Sequence, residues 1–178
     1  MICLNVERVK PDAVRGALFL DRDGTLIEHV AYLHDPTQVK LAQGVKEALV
    51  KAVSEGLLLF LFTNQSGVGR GFFTLEAALA CNAAVGRLLG LAEPVFAAEC
   101  TAPEHPGEPL VYRKPSPRFI EEMVERFALD PARCWMIGDQ AVDMEAAKLA
   151  GINGLQVGVD GSFGALVDRI VEDLSGGR

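Results

Sequence analysis

Asp21 and Asp23 stand two residues apart in FLDRDGTL (19–26), just past an apolar run, and GDQAVD (138–143) sets Asp139 and Asp143 at the end of another. Positions two apart on an extended chain share a side, so these carboxylates crowd one another where like charge resists desolvation. A hard divalent cation removes the difficulty, because Mg2+ takes a few carboxylates, a carbonyl and retained waters. A carboxylate in such a site can also be a nucleophile. It forms an acyl phosphate once phosphate charge is neutralised, and a second carboxylate can protonate the leaving oxygen and then activate water. Phosphoryl transfer needs cations and hydrogen-bond donors aimed at the transferring group. Thr63, at the end of LLLFLFT (57–63), and Lys114, in YRKPSP (112–117) just before a helix, are the candidates. Taken by itself, Lys114 reads more simply as a solvated surface lysine.

These residues need elements to position them. GALFLD (16–21), LLLFLFT (57–63), PVFAAEC (94–100), CWMIGD (134–139) and GLQVGV (154–159) are short and apolar without strict alternation, as expected for strands covered on both faces. Between them, Val45, Ala48, Leu49, Ala52 and Val53 follow a helical stripe, as do Phe119, Ile120, Met123, Val124 and Phe127. Thr74 to Leu89 and Ala141 to Ala150 also read as helices, the second ended by Gly151. Strands alternating with helices predict an α/β, doubly wound, Rossmann-like parallel sheet with helices on both faces. Such sheets bind ligands beyond the carboxyl ends of their strands, which is where Asp21, Thr63, Asn64 and Asp139 fall. Each alone is an ordinary turn or cap residue; three separated segments converging on one crevice lower that reading.

The chain has 178 residues, about half hydrophobic, and is expected to form a single domain over 1–178. Cys3, Cys81, Cys100 and Cys134 show no CxxC pairing, which points to a reducing cytoplasm. LLLFLF (57–62) is too short to span a bilayer and no signal peptide is evident, so no membrane partner is expected. A net charge of −7 argues against nucleic acid. The tail SGGR (175–178) is expected to fray, TAPEHPGEP (101–109) to form an irregular loop, and SGVGRGFF (66–73) to be a flexible loop without the Lys-Ser/Thr of a P-loop.

The ordered set DRDGT (21–25), TNQSG (63–67), RKPSP (113–117) and GDQAVD (138–143) resembles the four motifs of the haloacid dehalogenase (HAD) superfamily of phosphatases, over roughly residues 16–160. The resemblance implies Asp21 as nucleophile, Asp23 as general acid/base and Thr63 and Lys114 as phosphate binders, with Asn64 beside them. It also implies Mg2+ held by Asp21, Asp23 and Asp139, with Asp143 in support through water or a neighbouring group. Within the superfamily, LDRDGT, TNQSGVGRG and RKP most resemble the D,D-heptose 1,7-bisphosphate 7-phosphatases and their histidinol-phosphate phosphatase relatives. Neither gap between motifs has room for a large cap domain, which leaves substrate selection to loops near 27–43, 66–73 and 101–113.

The chain departs from that pattern in two places. Relatives commonly hold a structural zinc before RKP; here Ala102, Glu104, Leu110 and Tyr112 fall at the ligand positions, so no zinc is expected. Gln140 stands where many relatives have lysine. Arg113 and Arg70 suit a second charged group on the substrate, or serve only as surface charge. Gln65, with Asn64 and Ser66, positions substrate or caps the loop. His29 and His34 contact substrate or lie on the surface, and Arg22 turns away into a structural ion pair or meets substrate. A phosphatase acting on a small phosphorylated metabolite leads. A receiver-like phospho-Asp regulatory domain is the non-enzyme alternative, and a degenerate binding scaffold is disfavoured because the core catalytic residues are present.

Overall fold

A computed structural model describes residues 2–4, by backbone alone, and 16–176. Cys3 as a side chain and the tail residues Gly177 and Arg178 lie outside what is described. Six strands, β1 (Ile2–Leu4), β2 (Gly16–Leu20), β3 (Leu57–Asn64), β4 (Ala98–Ala102), β5 (Cys134–Gly138) and β6 (Asn153–Gln156), form one sheet in the order β1-β4-β3-β2-β5-β6. The five strands from β2 to β6 are mutually parallel, and β1 pairs antiparallel with β4 at the edge. The helices are α1 (Val45–Ser54), α2 (Ser66–Gly69), α3 (Leu75–Leu89), α4 (Arg118–Arg126), α5 (Ala141–Ala150) and α6 (Phe163–Gly176).

Alternation along each strand divides the core between the two faces of the sheet. Leu18, Leu20, Leu59, Leu61, Trp135 and Ile137 face a layer that includes α1 and α6 residues such as Leu49, Val167 and Ile170. Ala17, Phe19, Phe60, Phe62 and Met136 face the other way, against Phe119, Ile120 and Met123 of α4 and Ala146 and Ala147 of α5. Phe19 stacks on Phe60 with ring centroids 4.7 Å apart, and Phe119 meets Phe19 edge-on. Each such buried side chain contributes about 1.5–3 kcal/mol of hydrophobic stabilisation. Cys81, Cys100 and Cys134 are free and buried, and burial pushes the thiols of Cys100 and Cys134 up to about 12. They pack as small apolar residues.

The doubly wound sheet and the expected helices are present, with several adjustments, among them a last strand that ends at Gln156 rather than at residue 159. The edge strand β1 adds an antiparallel neighbour to what reads as a wholly parallel sheet. The third expected strand begins at Ala98, beyond residue 94, and runs to Ala102, because its pairing with β3 spans Phe60↔Ala98 to Asn64↔Ala102 and Pro94 has no N–H to donate. Residues 66–73 are not a loose loop. Arg70 N donates to Ser66 O and Phe72 N to Gly67 O, winding α2 and the turn after it. Ser175 and Gly176, expected to fray, continue α6, whereas Val53 of the α1 stripe is exposed.

This topology puts β2 at the centre with β3 on one side and β5 on the other, in register as Leu20↔Leu61 and Leu20↔Ile137. The chain therefore leaves β2 at Asp21, β3 at Thr63–Asn64 and β5 at Asp139 from neighbouring positions on one edge. Among the described residues, the connection from β2 to α1 holds no inserted domain. Ile27 bridges Leu41, Glu28 N donates to Lys40 O and Ala42 N to Leu26 O, so residues 26–42 form an arm closed at its base. No helix among the described residues is long and apolar enough to cross a membrane.

Candidate active site

Lys114 is the centre of the site. Although it follows a proline-rich loop, its side chain is only 1% exposed, which overturns the surface-lysine reading. Its Nζ lies 2.6 Å from Asp21 Oδ1 and 2.6 Å from Asp143 Oδ1, donates to the carbonyl of Phe62 at 2.9 Å, and sits over the Phe62 ring. Asn64 fixes the backbone that carries it. Lys114 N donates to Asn64 Oδ1 at 2.9 Å, and Asn64 Nδ2 donates to Lys114 O at 3.1 Å. A side-chain amide matches both peptide groups, so this pairing ties the end of β3 to the loop before α4.

Burial pushes the Asp21 carboxyl up to about 7 against the pull of Lys114, with the charges of Asp143 and Asp23 adding to the rise. Burial also works to lower Lys114, but Asp21 and Asp143 outweigh it and hold the ammonium above its ordinary value. One buried cation thus faces two buried carboxylates, leaving the cluster short of positive charge.

The metal expectation fits this deficit. Asp21, Asp139 and Asp143 each turn one carboxylate oxygen into a common space, the three oxygens lying within 4.8 Å of one another. Asp139 Oδ1 is buried without a hydrogen-bond partner, whereas Asp143 Oδ1 is ion-paired with the Lys114 ammonium at 2.6 Å. An oxygen left open in this way, beside two carboxylates that share one lysine, suits a hard cation. The scaffold keeps them there. Gln140 N donates to Asp143 Oδ2 at 3.0 Å, Gln140 Nε2 to Asp139 Oδ2 at 2.6 Å, and Gln156 Nε2 to Asp139 O at 2.9 Å. Gly24, at φ +82°, passes so close that a Cβ there would lie 2.6 Å from Asp139 Oδ2. Because Asp21 takes up its proton near pH 7, a bound cation must displace that proton at lower pH. Mg2+ affinity is expected to fall as pH drops through about 7, with close to one proton released per ion bound at pH 6. Calorimetry in two buffers of different ionisation enthalpy measures this; a proton count of zero at pH 6 contradicts it.

Asp23 stands apart from the three-oxygen cluster, so its carboxylate is not brought together with the other expected metal ligands. It lies between two connected clefts instead. One, of about 180 Å³, is lined by Asp21, Asp23, Lys114, Asp139 and Asp143; the other, of about 280 Å³, by Asp23, Tyr32, Gln65, Ser66 and Phe73. Asp23, His29 and Asn64 line both. Gln65 Nε2 donates to Asp23 Oδ2 at 2.7 Å and to Thr63 Oγ1 at 2.9 Å. Thr63 is fully buried and lines neither cleft, nor do Arg70, which is exposed, and Arg113, whose Nε is buried without a partner. His34 stacks on Phe73 rather than lining the clefts. Arg22 is fully buried and forms the structural ion pair with Asp23. Gln156 and Asn82 were not foreseen. Gln156 ends β6, where the strand-end rule points; Asn82 is the polar member of the α3 stripe formed with Ala78, Cys81, Val85 and Leu89.

A cation-ready carboxylate cluster and a buried lysine at the carboxyl edge of a doubly wound sheet define a hydrolase of the HAD-like class, and residues 111–175 match the HAD-hydrolase-like family model. The chain is 37% identical over 151 residues to a D-glycero-beta-D-manno-heptose-1,7-bisphosphate 7-phosphatase of Mesorhizobium japonicum, covering 76% of this chain and 66% of that one. It is 31% identical to the corresponding Chlorobaculum tepidum protein, covering 79% and 77%. A D,D-heptose 1,7-bisphosphate phosphatase from B. bronchiseptica, solved with magnesium and phosphate, superposes with a TM-score of 0.79 at 23% identity, over 89% of this chain and 99% of that one. The chain belongs to the D-glycero-D-manno-heptose-1,7-bisphosphate 7-phosphatase family of HAD-like phosphatases.

Proposed function

We propose that this chain is a Mg2+-dependent phosphomonoester hydrolase that removes one phosphate from a heptose bisphosphate-type sugar through an aspartyl-phosphate. The observation that carries this reading is the Lys114 ammonium held 2.6 Å from the Asp21 carboxylate, in a cluster where Asp21, Asp139 and Asp143 bring one carboxylate oxygen each within 4.8 Å of the others. Asp21 attacks phosphorus and the bond to the sugar oxygen breaks; that oxygen takes a proton from Asp23. Asp23, now a carboxylate, draws a proton from water, whose oxygen attacks the aspartyl-phosphate. The Asp21 carboxylate and inorganic phosphate are the products, so atoms and charge balance. Lys114 is placed to neutralise the transferring group, with Asn64 holding it there. Mg2+, held by Asp21, Asp139 and Asp143, supplies the further positive charge that lets one anion approach another.

The sugar occupies the cleft beside Gln65, Tyr32 and Phe73, with His29 and Ser66 at hand for hydroxyl groups. Arg70 and Arg113, although they line neither cleft, are the cations left for the second phosphate. Thr63 supports phosphate indirectly by orienting Gln65. The chain acts as a single domain without a large cap, in the cytoplasm. The loop before Lys114 is held by its own chemistry rather than by zinc. Glu104 Oε1 accepts from Tyr112 N at 2.9 Å, joining two of the positions at which relatives place ligands, and Gly69 N donates to Pro103 O at 3.0 Å.

The test is purified protein with Mg2+ assayed for phosphate release from heptose 1,7-bisphosphate, other sugar phosphates and histidinol phosphate, with metal analysis alongside. Selective release from the heptose bisphosphate, and no stoichiometric zinc, are expected. Preference for histidinol phosphate, or a phosphoryl group retained on the protein for hours as in a regulatory domain, contradicts the reading.

A further inference from the structure

Arg22 is a large, charged, fully buried side chain for which the reaction has no direct use. Its guanidinium grips the neighbouring carboxylate. Nε donates to Asp23 Oδ2 at 3.1 Å, NH2 donates to Asp23 Oδ1 at 3.2 Å, and NH2 lies 2.9 Å from Asp23 Oδ2. The other arm is anchored in α3, where NH1 donates to Asn82 Oδ1 at 2.9 Å and to Ala78 O at 3.3 Å. Asn82, itself buried, passes the constraint onward. Its Nδ2 donates to Thr101 Oγ1 of β4 at 2.9 Å, so both ends of the amide are matched and a flip would set its NH2 group against the guanidinium.

The arrangement is asymmetric at Asp23. Oδ2 faces both Arg22 nitrogens and Gln65 Nε2 at 2.7 Å, whereas Oδ1 has only the longer contact to Arg22 NH2. Donors gathered on Oδ2 fix the orientation of the carboxylate and leave Oδ1 the less engaged of its two oxygens. Asp23 keeps about a fifth of its side chain exposed and lines both clefts, so Oδ1, the less engaged oxygen, can face a leaving group.

We propose that Arg22, anchored by Asn82, is a positioning residue that locks the Asp23 carboxylate with Oδ2 turned into the protein and Oδ1 presented to the leaving oxygen. The proposal rests on Asp23 being the acid/base. A fork is required for it. Lysine at position 22 keeps the charge but offers a single point of attachment, which lets the carboxylate rotate. Proton donation matters most when the departing oxygen is a poor leaving group, as a sugar hydroxyl is, and least for p-nitrophenolate, which departs without a proton.

Arg22→Lys and Asn82→Ala test this against the wild type, with kcat/KM measured on a sugar phosphate and on p-nitrophenyl phosphate in saturating Mg2+. Both variants are expected to lose about 10- to 100-fold on the sugar phosphate and less than about 3-fold on p-nitrophenyl phosphate. Equal losses on the two substrates, which a merely structural role gives, overturn the proposal, as does unchanged kcat/KM on both. Asn82→Ala removes no charge and lies outside the clefts, so it decides the matter should Arg22→Lys fail to fold. Asp23→Asn separates the two assignments. Leaving-group-dependent loss in Asp23→Asn without it in Arg22→Lys and Asn82→Ala refutes only the positioning role. A leaving-group-independent response in Asp23→Asn refutes the acid/base assignment and the positioning role with it.

Discussion

Asp21→Asn is expected to lower turnover on the order of 10⁴-fold or more while leaving a protein that folds at least as well as the wild type above neutral pH. Loss of activity follows from the chemistry, because a carboxamide has no anionic oxygen with which to attack phosphorus. The stability follows from burial. The folded carboxyl is pushed up to about 7 from an ordinary value of 3.8, so folding holds its proton more tightly than the unfolded chain does. Stability from this group is full below the unfolded value and is lost as pH rises through the folded one. Without metal, the wild type should therefore weaken between about pH 4 and pH 7, and the asparagine variant should be flatter across that window. Lys114 does not become isolated in the variant, since Asp143 and the Phe62 carbonyl remain beside it. Phosphate release and thermal midpoints at pH 5 and pH 8, in chelator, measure both effects. Wild-type turnover in the variant would remove Asp21 as nucleophile.

The resemblance of four short motifs carried the reacting residues because the fold makes strand ends converge, and strands with continuous apolar runs are easy to place. Asp21, Asp139 and Asn64 meet for that reason. The start of the third strand was misplaced because PVFA (94–97) is as apolar as the residues that do pair, and register is decided by the partner strand rather than by composition. The burial of Lys114 was illegible for a different reason. Its surroundings are a proline-rich, polar segment, and only the clamp from Asn64, fifty residues away in the chain, turns it inward. Arg22 shows what local alternation leaves out. Alternation turns Arg22 away from both aspartates, yet its guanidinium pairs with Asp23, and its second partner, Asn82, comes from α3, sixty residues along the chain. Arg70 and Arg113 have the chemistry of substrate contacts, but they line neither of the two clefts, and sequence carries no signal for that placement.

Lys114→Met tests whether the site is organised around one buried cation. Methionine fills much of the space of the lysine stem against the Phe62 ring, so the change removes charge more than volume. Activity should fall about 10³-fold, because the transferring phosphoryl group loses its fixed protein cation. The effect on stability depends on pH and on metal. Taking away the ammonium leaves Asp21 and Asp143 as buried carboxylates, and removing one partner of a buried ion pair costs about 3–5 kcal/mol. Asp21 can evade that cost by keeping its proton, which it does readily below pH 7. The destabilisation should therefore be small at pH 5 and large at pH 8 in the absence of metal. Mg2+ would then supply to the variant the positive charge that lysine supplies to the wild type. The rise in thermal midpoint on adding Mg2+ at pH 8 should be greater for Lys114→Met than for the wild type, although activity does not return. Thermal melts with and without Mg2+ at the two pH values read this out. Equal Mg2+-induced shifts in the two proteins would mean that lysine and metal answer to different carboxylates, contrary to the shared use of Asp21 and Asp143 proposed for the site.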